Sequence, residues 1–337
     1  MPRPTSPVDR GEMFACAARL PSARLRGFMT GFVHRCLVCA LVCSLTGLAF
    51  AAPRAQHVFV ISIDGGNPEI MQRSEMPILK KLIREGAHTF VAKTITPPIT
   101  LPAHASMLSG VGADKHKVTW NTLSRTNGVI EVPTVFSIAK QARLSTAMFV
   151  GKEKFRHLLQ PGMVDEFGFN RDATVVITKD DSGGTNLKKE GNVLAKTVAT
   201  DAADDILKHK PNLCFIHFTD PDTFGHVYGW GSPEQLKAFA DTDEGLGIVL
   251  KGIRQADIAK NSVIIISADH GGHERGHSKG TPADMQIPWI AWGKDVKEGF
   301  TITDPVNTCD TAATVLWLLD LQPAGPLDGT LVRSAFQ

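Results

Sequence analysis

A dense group of potential metal ligands lies between Val263 and His277, in the sequence VIIISADHGGHERGH. An apolar run ends at Asp269 and His270, two glycines follow, and two more histidines come within the next seven residues. Carboxylate and imidazole groups at this density are typical of a site for zinc or a similar divalent cation. The remaining ligands of such a site must come from other parts of the chain.

Two further apolar segments end in the same kinds of residue. Asp64 follows VISI, and Asp222 and His226 follow FIHF. In an open α/β sheet, ligands bind beyond the carboxyl ends of the strands, so we expect these residues to meet Asp269 at one edge. A single Asp after a strand is usually a turn or capping residue. Three such segments, two of which also carry His, favour a ligand site.

Together the three segments supply three carboxylates and three imidazoles, from Asp64, Asp222, His226, Asp269, His270 and His277. This set fits two zinc-like ions with three protein ligands each, so that each ion keeps an open position for substrate or water. His273 competes with His277 as the third histidine, because spacing alone does not distinguish them.

The segments that must position these residues alternate between strand-like and helix-like patterns from Gln56 onwards. This alternation predicts an α/β fold with a largely parallel central sheet sandwiched by helices. Strands are expected at His57 to Ile63, His88 to Ile95, Ser145 to Val150, Leu213 to Phe218, Val263 to Ser267 and Ile287 to Trp292. Helices are expected at Met76 to Glu85, from Ala103, and at Pro133 to Ala142, Asn192 to Lys208, Pro233 to Ile253 and Thr308 to Leu319.

The first 51 residues differ in kind from the rest. Arginines precede an apolar run from Cys36 to Phe50, which ends in the A-x-A cleavage pattern Ala49-Phe50-Ala51. The run is shorter than the ~20 residues that a membrane span needs. We therefore expect residues 1–51 to be a leader, with the signal peptide at 29–51, and the protein to be periplasmic or secreted. An uncleaved membrane anchor is the alternative; after cleavage no stable membrane span is expected.

Residues 52–337 are expected to form one domain, because no repeat or low-complexity linker interrupts them. Within it, residues 152–189 are expected to be an irregular excursion near the substrate pocket. Lys152, Lys154 and Arg156 in this stretch could approach a phosphate, although a solvated run of charge is the ordinary interpretation. Of the six cysteines, Cys214 and Cys309 follow the leader and are expected to be buried thiols. A net charge of +2 without a basic stripe argues against a nucleic-acid-binding surface.

In order and spacing, four blocks resemble the motifs of the alkaline phosphatase superfamily, specifically its nucleotide pyrophosphatase/phosphodiesterase (type I phosphodiesterase) branch. They are IDGG (Ile63 to Gly66), TLPAH (Thr100 to His104), PDTFGH (Pro221 to His226) and ADHGG with the later His277. The likeness runs from about Val58 to the C-terminus. It implies an alkaline-phosphatase-like fold and a metal-dependent phosphoric ester hydrolase. From their local positions, His104 at a helix start, His116 in a polar turn and His217 within a strand are expected to be structural residues.

The resemblance also implies site roles. One ion, with zinc expected, would be held by Asp64, Asp269, His270 and the Thr100 hydroxyl, and a second by Asp222, His226 and His277. Thr100 would be the nucleophile of a covalent intermediate, and Asn121 would donate a hydrogen bond to a phosphoryl oxygen. From local sequence alone, Thr100 would be a loop residue and Asn121 a turn residue. Because a Gly/Pro turn and an IPW strand follow, the resemblance favours His277 over His273. Ala103 departs from the family block, which usually has Asn there.

The implied substrate is a small phosphodiester or pyrophosphate such as a nucleotide. No Arg lies beside Thr100 to meet the extra charge of a monoester, which favours diesters. A phosphomonoesterase or phosphonate hydrolase of the same superfamily is the alternative, and a non-catalytic secreted zinc-binding protein is less favoured, since structural zinc sites are usually Cys-rich. Phe155, Phe167 and Trp230 are candidates to stack on a nucleobase, although aromatic residues more often belong to the core or rim.

Overall fold

The computed structural model describes residues 53–179, 185–189 and 191–337 of the chain. By their internal contacts, residues Ala52–Gln337 form one unit. The expected leader, residues 1–51, lies outside the described residues. Within the described ranges, none of the helices combines the length and the apolar character needed to cross a bilayer.

The described elements alternate along the chain much as the sequence pattern indicates. The strands are β1 (His57–Ile63), β2 (Ala87–Lys93), β3 (Thr146–Val150), β4 (Glu166–Gly168), β5 (Thr174–Lys179), β6 (Thr185–Lys189), β7 (Asn192–Val193), β8 (Leu213–Phe218), β9 (Ser262–Ser267), β10 (Gln286–Gly293) and β11 (Phe300–Thr301). The helices are α1 (Pro68–Arg73), α2 (Pro77–Arg84), α3 (Thr100–Ser109), α4 (Ala113–His116), α5 (Val135–Gln141), α6 (Ala195–His209), α7 (Asp220–Tyr228), α8 (Pro233–Gln255), α9 (Pro282–Met285) and α10 (Asp310–Leu318).

The main sheet has eight strands in the order β11-β2-β10-β9-β1-β8-β3-β4. Strand β10 is antiparallel to both β2 and β9, and the other neighbouring pairs in this sheet are parallel. The prediction of a largely parallel central sheet is therefore confirmed. Parallel neighbours end at the same edge of the sheet, which brings the residues that follow β9, β1 and β8 together.

Both faces of the sheet are covered, as the continuous apolar strands require. Along β1, Val58 and Val60 point into one hydrophobic core, and Phe59 and Ile61 point into the other. Helices α3, α5 and α10 pack into the first core, and α2, α6 and α8 pack into the second. The two expected thiols, Cys214 and Cys309, are free and buried.

Two local expectations were wrong. The described residues of 152–189 are not irregular, because they form a 3₁₀ helix at Glu153–Leu158 and the strands β4, β5 and β6. Strand β5, TVVITK, is rich in β-branched residues and pairs antiparallel with β6 and β7 in a second, three-stranded sheet. Helix α3 begins at Thr100 rather than at Ala103, so Thr100 is its first residue.

A buried carboxylate joins two of the helices on one face. Met76, the residue before α2, has no side-chain acceptor for the first N–H groups of that helix. The carboxylate of Asp243 in α8 accepts from the backbone N–H of Ile78 at 2.9 Å and of Leu79 at 2.8 Å. Asp243 thus supplies the cap that the α2 sequence lacks.

We expect Asp243→Asn to lower the free energy of unfolding by about 1–2 kcal/mol, because the amide offers one acceptor where the carboxylate offers two. Urea denaturation of the metal-loaded protein measures the change. Glu244→Gln, at an exposed position of the same helix, is the matched control and should change stability by less than ~0.5 kcal/mol. Equal effects of the two substitutions would contradict the capping role.

Candidate metal centre

Three adjacent parallel strands deliver acidic residues to one edge of the sheet. Asp64 follows β1 directly, Asp222 lies in α7 after β8, and Asp269 follows β9. Asp64 and Asp269 are 0% exposed and Asp222 is 3% exposed. The carboxylates therefore converge in a region of low dielectric, as the strand-end pattern predicts.

Helix α7 places Asp222 and His226 one turn apart, on the same face. His226 Nε2 lies 3.2 Å from Asp222 Oδ1, and His277 Nε2 lies 3.7 Å from the same oxygen. The ligand atoms of Asp222, His270 and His277 all lie within 4.8 Å of one another. His226, whose side chain is 43% exposed, contacts Asp222 but is not part of this group of three.

The second group contains Asp64, Asp269 and His270, whose ligand atoms also lie within 4.8 Å of one another. His270 Nε2 is 3.2 Å from Asp269 Oδ2 and 3.5 Å from Asp64 Oδ1. The rings of His270 and His277 stack with centroids 3.6 Å apart. His270 therefore lies between the two groups, whereas the sequence pattern assigned it to the Asp64 group alone.

The three histidines share one hydrogen-bond arrangement, in which Nδ1 donates to a backbone carbonyl. The acceptors are Arg275 O for His226 (2.9 Å), Gly271 O for His270 (2.9 Å) and Pro98 O for His277 (2.7 Å). Because Nδ1 carries the proton, each Nε2 presents a lone pair to the site. Metal-binding histidines are typically oriented in this way.

Among the described residues, four of the candidate ligand atoms are buried without a hydrogen-bond partner: Asp64 Oδ1, Asp222 Oδ1, Asp269 Oδ2 and His270 Nε2. Each carries a lone pair, and they face one another or a neighbouring Nε2 across contacts of 3.2 to 3.7 Å. Buried acceptors that face one another without a proton need a cation between them. The residues therefore fit divalent metal ions, and a mixed Asp/His set suits Zn, Mn or Fe.

A buried lysine, Lys152, also belongs to the site. Its Nζ donates to Asp222 Oδ2 at 2.5 Å and lies 2.7 Å from Asp64 Oδ2. Burial alone would lower the pKa of Lys152, but the two carboxylates outweigh it and raise this pKa above its usual value. Burial would likewise raise the pKa of Asp64, but Lys152 and His217 hold it well below the usual range. The interpretation of Lys152 as part of a solvated charge run is wrong; it applies to Arg156, which is exposed.

Two further histidines lie beneath the carboxylates. His217, which points inward from β8, is paired with Asp64 through Nε2 and Oδ2 at 2.8 Å. His104, one turn into α3, donates from Nδ1 to Thr100 O at 2.8 Å, and its Nε2 is paired with Ser62 Oγ at 2.7 Å. The alternation of β8 hides His217 within an apolar run, so its contact with Asp64 was missed by the sequence pattern.

Thr100 is 1% exposed and starts α3, directly after the loop whose Pro98 carbonyl anchors His277. Asn121 lies beside it, because its Oδ1 accepts from the backbone N–H of Leu101 at 3.0 Å. The same oxygen accepts from Lys154 Nζ at 2.9 Å. These two donors fix the carbonyl oxygen of the Asn121 amide, and its NH₂ group has donors to offer.

The other candidates are separated from the ligand groups or lie at their rim. His273 Nδ1 pairs with Asp284 Oδ1 at 2.6 Å, so His273 is drawn away to α9. Phe155 is fully buried against His104 and His217, and it cannot stack on a nucleobase. Trp230 packs edge-on against His226 with centroids 5.2 Å apart, at the rim. Phe167 packs beneath the Arg156 guanidinium.

Comparison with known proteins gives a consistent result. The family model described as type I phosphodiesterase/nucleotide pyrophosphatase matches residues 58–279. The chain is similar to an uncharacterized pyrophosphatase/phosphodiesterase of Schizosaccharomyces pombe, with 26% identity over 233 residues, 64% of this chain and 44% of that protein. It is also similar to mouse ectonucleotide pyrophosphatase/phosphodiesterase family member 7, with 24% identity over 250 residues, 70% of this chain and 54% of that protein. The chain thus spans about half the length of these relatives.

Solved structures share the fold. An inactive variant of murine ectonucleotide pyrophosphatase/phosphodiesterase 5, in complex with AMP, superposes with a TM-score of 0.69 at 14% identity, and the match covers 84% of this chain and 100% of that chain. A phosphonate monoester hydrolase from Silicibacter pomeroyi gives a TM-score of 0.60 at 15% identity, covering 82% of this chain and 76% of that chain. Both matches support the α/β architecture with helices on either side of the sheet.

We expect His277→Ala to weaken the binding of one metal ion by more than the ~10–100-fold that loss of an outer hydrogen-bond partner costs, because the ion held with Asp222 would lose a direct ligand. His273→Ala, the same change in the same loop, is the matched control and should retain the wild-type metal content. Elemental analysis after dialysis against a weak chelator measures both variants. The assignment of His277 is reversed if His273→Ala loses an ion and His277→Ala keeps it.

Proposed function

Because the chain belongs to the type I phosphodiesterase/nucleotide pyrophosphatase family, we propose that it hydrolyses phosphodiester or pyrophosphate bonds of small substrates such as nucleotides. Two divalent ions, zinc by preference, would assist the reaction. The observation that carries the proposal is the set of buried, unpartnered acceptors on Asp64, Asp222, Asp269 and His270 close to the start of α3. The hydroxyl of Thr100 and the amide of Asn121 are the groups proposed to act on the substrate.

In this proposal one ion would be held by Asp64, Asp269, His270 and the Thr100 hydroxyl, and the other by Asp222, His226 and His277. Such ions, when bound, lower the pKa of a hydroxyl or water and neutralise charge on a phosphoryl group. The stacked rings of His270 and His277 support two neighbouring positions rather than two remote ones.

Thr100 is proposed as the nucleophile. Its Oγ1 forms a bond to phosphorus as the bond from phosphorus to the leaving oxygen breaks, and the hydroxyl proton passes to solvent. Water then attacks the phosphothreonine, releases the phosphoryl group and returns a proton to Thr100 Oγ1. As the first residue of a ten-residue helix, Thr100 sits where the helix dipole favours developing negative charge.

Asn121 is proposed to donate from its NH₂ group to a non-bridging phosphoryl oxygen. The two donors on its Oδ1, Leu101 N–H and Lys154 Nζ, hold the amide in one orientation before substrate arrives. A prearranged donor of this kind contributes roughly 10²–10³ in rate. Leu101 directly follows Thr100 in the first turn of α3, so its hydrogen bond to Asn121 fixes the position of Asn121 relative to Thr100.

A second candidate function is supported by Lys154. In the sequence no Arg lies beside Thr100, which favours diesters. In the fold, however, Lys154 brings a cation to this region, because its Nζ donates to Asn121. Burial and the neighbouring Lys152 lower the pKa of Lys154 to about 8, so it is largely protonated at pH 7. A cation here suits a substrate with an additional negative charge near phosphorus, such as a phosphomonoester or a phosphonate.

A non-catalytic zinc-binding protein is less favoured, because it would need neither Thr100 nor the fixed Asn121 amide.

We expect Thr100→Ala to lower kcat on bis-p-nitrophenyl phosphate by roughly 10³-fold or more, because the covalent step is lost. Thr100→Ser, which keeps a hydroxyl, should recover part of this rate. Metal content is measured in parallel, so that loss of the nucleophile is separated from loss of an ion. EDTA should abolish the wild-type activity. Near-normal turnover by Thr100→Ala would rule out the assignment.

We expect wild-type kcat/KM to be higher for bis-p-nitrophenyl phosphate than for p-nitrophenyl phosphate. Lys154→Met should lower the monoester activity by about tenfold or more relative to the diester activity, because the monoester carries the extra charge. Arg156→Met, an exposed position two residues away, is the control and should leave the ratio unchanged. A wild-type preference for the monoester would replace the first candidate by the second.

A further inference from the structure

The ammonium of Lys152 contacts the two candidate metal groups at once. It reaches Oδ2 of Asp64 at 2.7 Å and Oδ2 of Asp222 at 2.5 Å. The opposite oxygen of each carboxylate, Oδ1, is buried and has no hydrogen-bond partner. One lysine therefore occupies one side of both carboxylates and leaves the other side of both free.

The charges around Lys152 explain why a cation is needed there. Asp64, Asp222 and Asp269 are buried together, and buried carboxylates that lack a compensating cation strongly destabilise a folded protein. Lys154, two residues further along the chain, donates to Asn121 instead of to a carboxylate. Among the described residues, the only lysine or arginine paired with these carboxylates is thus Lys152.

We propose that Lys152 is a built-in counter-cation of the metal centre, which keeps the ligand cluster folded and correctly oriented before metal binds, at the expense of some metal affinity. This inference rests on the proposed two-metal function. Lys152 does not occupy the Oδ1 positions, so metal can enter without displacing it. Its positive charge nevertheless repels the incoming ions, so they bind more weakly than they would to the same carboxylates without the lysine.

The test compares the melting temperatures of wild type and Lys152→Met, each stripped with EDTA and each saturated with Zn²⁺. Without metal, Lys152→Met should melt roughly 5–10 °C below wild type, because a buried ion pair has lost one partner. With Zn²⁺ the gap should shrink, because the ions compensate the carboxylates. By linkage, Lys152→Met should bind Zn²⁺ more tightly, by about tenfold, in a chelator-competition titration.

Lys196→Met is the matched control. Lys196 Nζ also bridges two carboxylates, Asp241 at 3.0 Å and Glu244 at 2.6 Å, but its side chain is 46% exposed. Its removal should shift the melting temperature by no more than ~2 °C, with or without Zn²⁺. The comparison isolates the effect of burial at the metal centre from the effect of losing a bridging lysine.

The double variant Lys152→Met/Asp222→Asn covers the case in which Lys152→Met fails to fold. Without metal it should be more stable than Lys152→Met, because one of the uncompensated charges is gone. The inference is overturned if the metal-free melting temperature of Lys152→Met equals that of wild type, if Zn²⁺ binds it more weakly, or if the double variant is no more stable than the single one. Failure of Zn²⁺ to stabilise wild type would instead contradict the two-metal proposal.

Discussion

Three carboxylates that must share one buried region form the constraint on which the rest of this structure depends. Strands β1, β8 and β9 are adjacent and parallel, so Asp64, Asp222 and Asp269 lie close together at the edge where these strands end. Their environments differ. Lys152 holds the pKa of Asp64 and of Asp222 below the usual range against the opposing effect of burial. Among the described residues no lysine pairs with Asp269, and burial together with the nearby Asp64 raises the pKa of Asp269. The cluster is therefore short of positive charge on the side where Asp269 and His270 lie.

The rule that ligands bind beyond the carboxyl ends of parallel strands explains which site residues could be predicted from the sequence and which one was missed. It located Asp64, Asp222 and Asp269 because each follows an apolar strand with little intervening chain. The same rule applies to β3, TAMFV, which lies beside β8 with Val150 opposite His217. Lys152 follows β3 by two residues and so reaches the same edge. The signal was present in the sequence, but a lysine in a charged segment is usually solvated, and only the order of the strands shows that this one is not.

The choice between His273 and His277 could not be made from local spacing, because each histidine is directed by a distant partner. His273 pairs with Asp284, and His277 donates to Pro98 O. The glycines between the strand and these histidines act by close approach. A Cβ on Gly271 would lie 2.0 Å from Ala283 O, and one on Gly272 would lie 2.2 Å from the Trp230 ring. Neither glycine has a positive φ, so it is space, rather than left-handed backbone conformation, that requires glycine here.

The hydrogen bonds that orient the three histidine ligands come from backbone carbonyls. Each of His226, His270 and His277 is held by a backbone carbonyl, and Asn121 is held by the helix that starts at Thr100. Side chains held in this way lose little further conformational entropy when an ion or a phosphoryl group binds. What they lack is charge balance, because buried carboxylate oxygens and the Nε2 atom of His270 face one another without a hydrogen-bond partner among the described residues. Binding of divalent ions to such a site would therefore be driven by electrostatic compensation rather than by rearrangement, and Lys152 would set how much of that compensation the protein already provides.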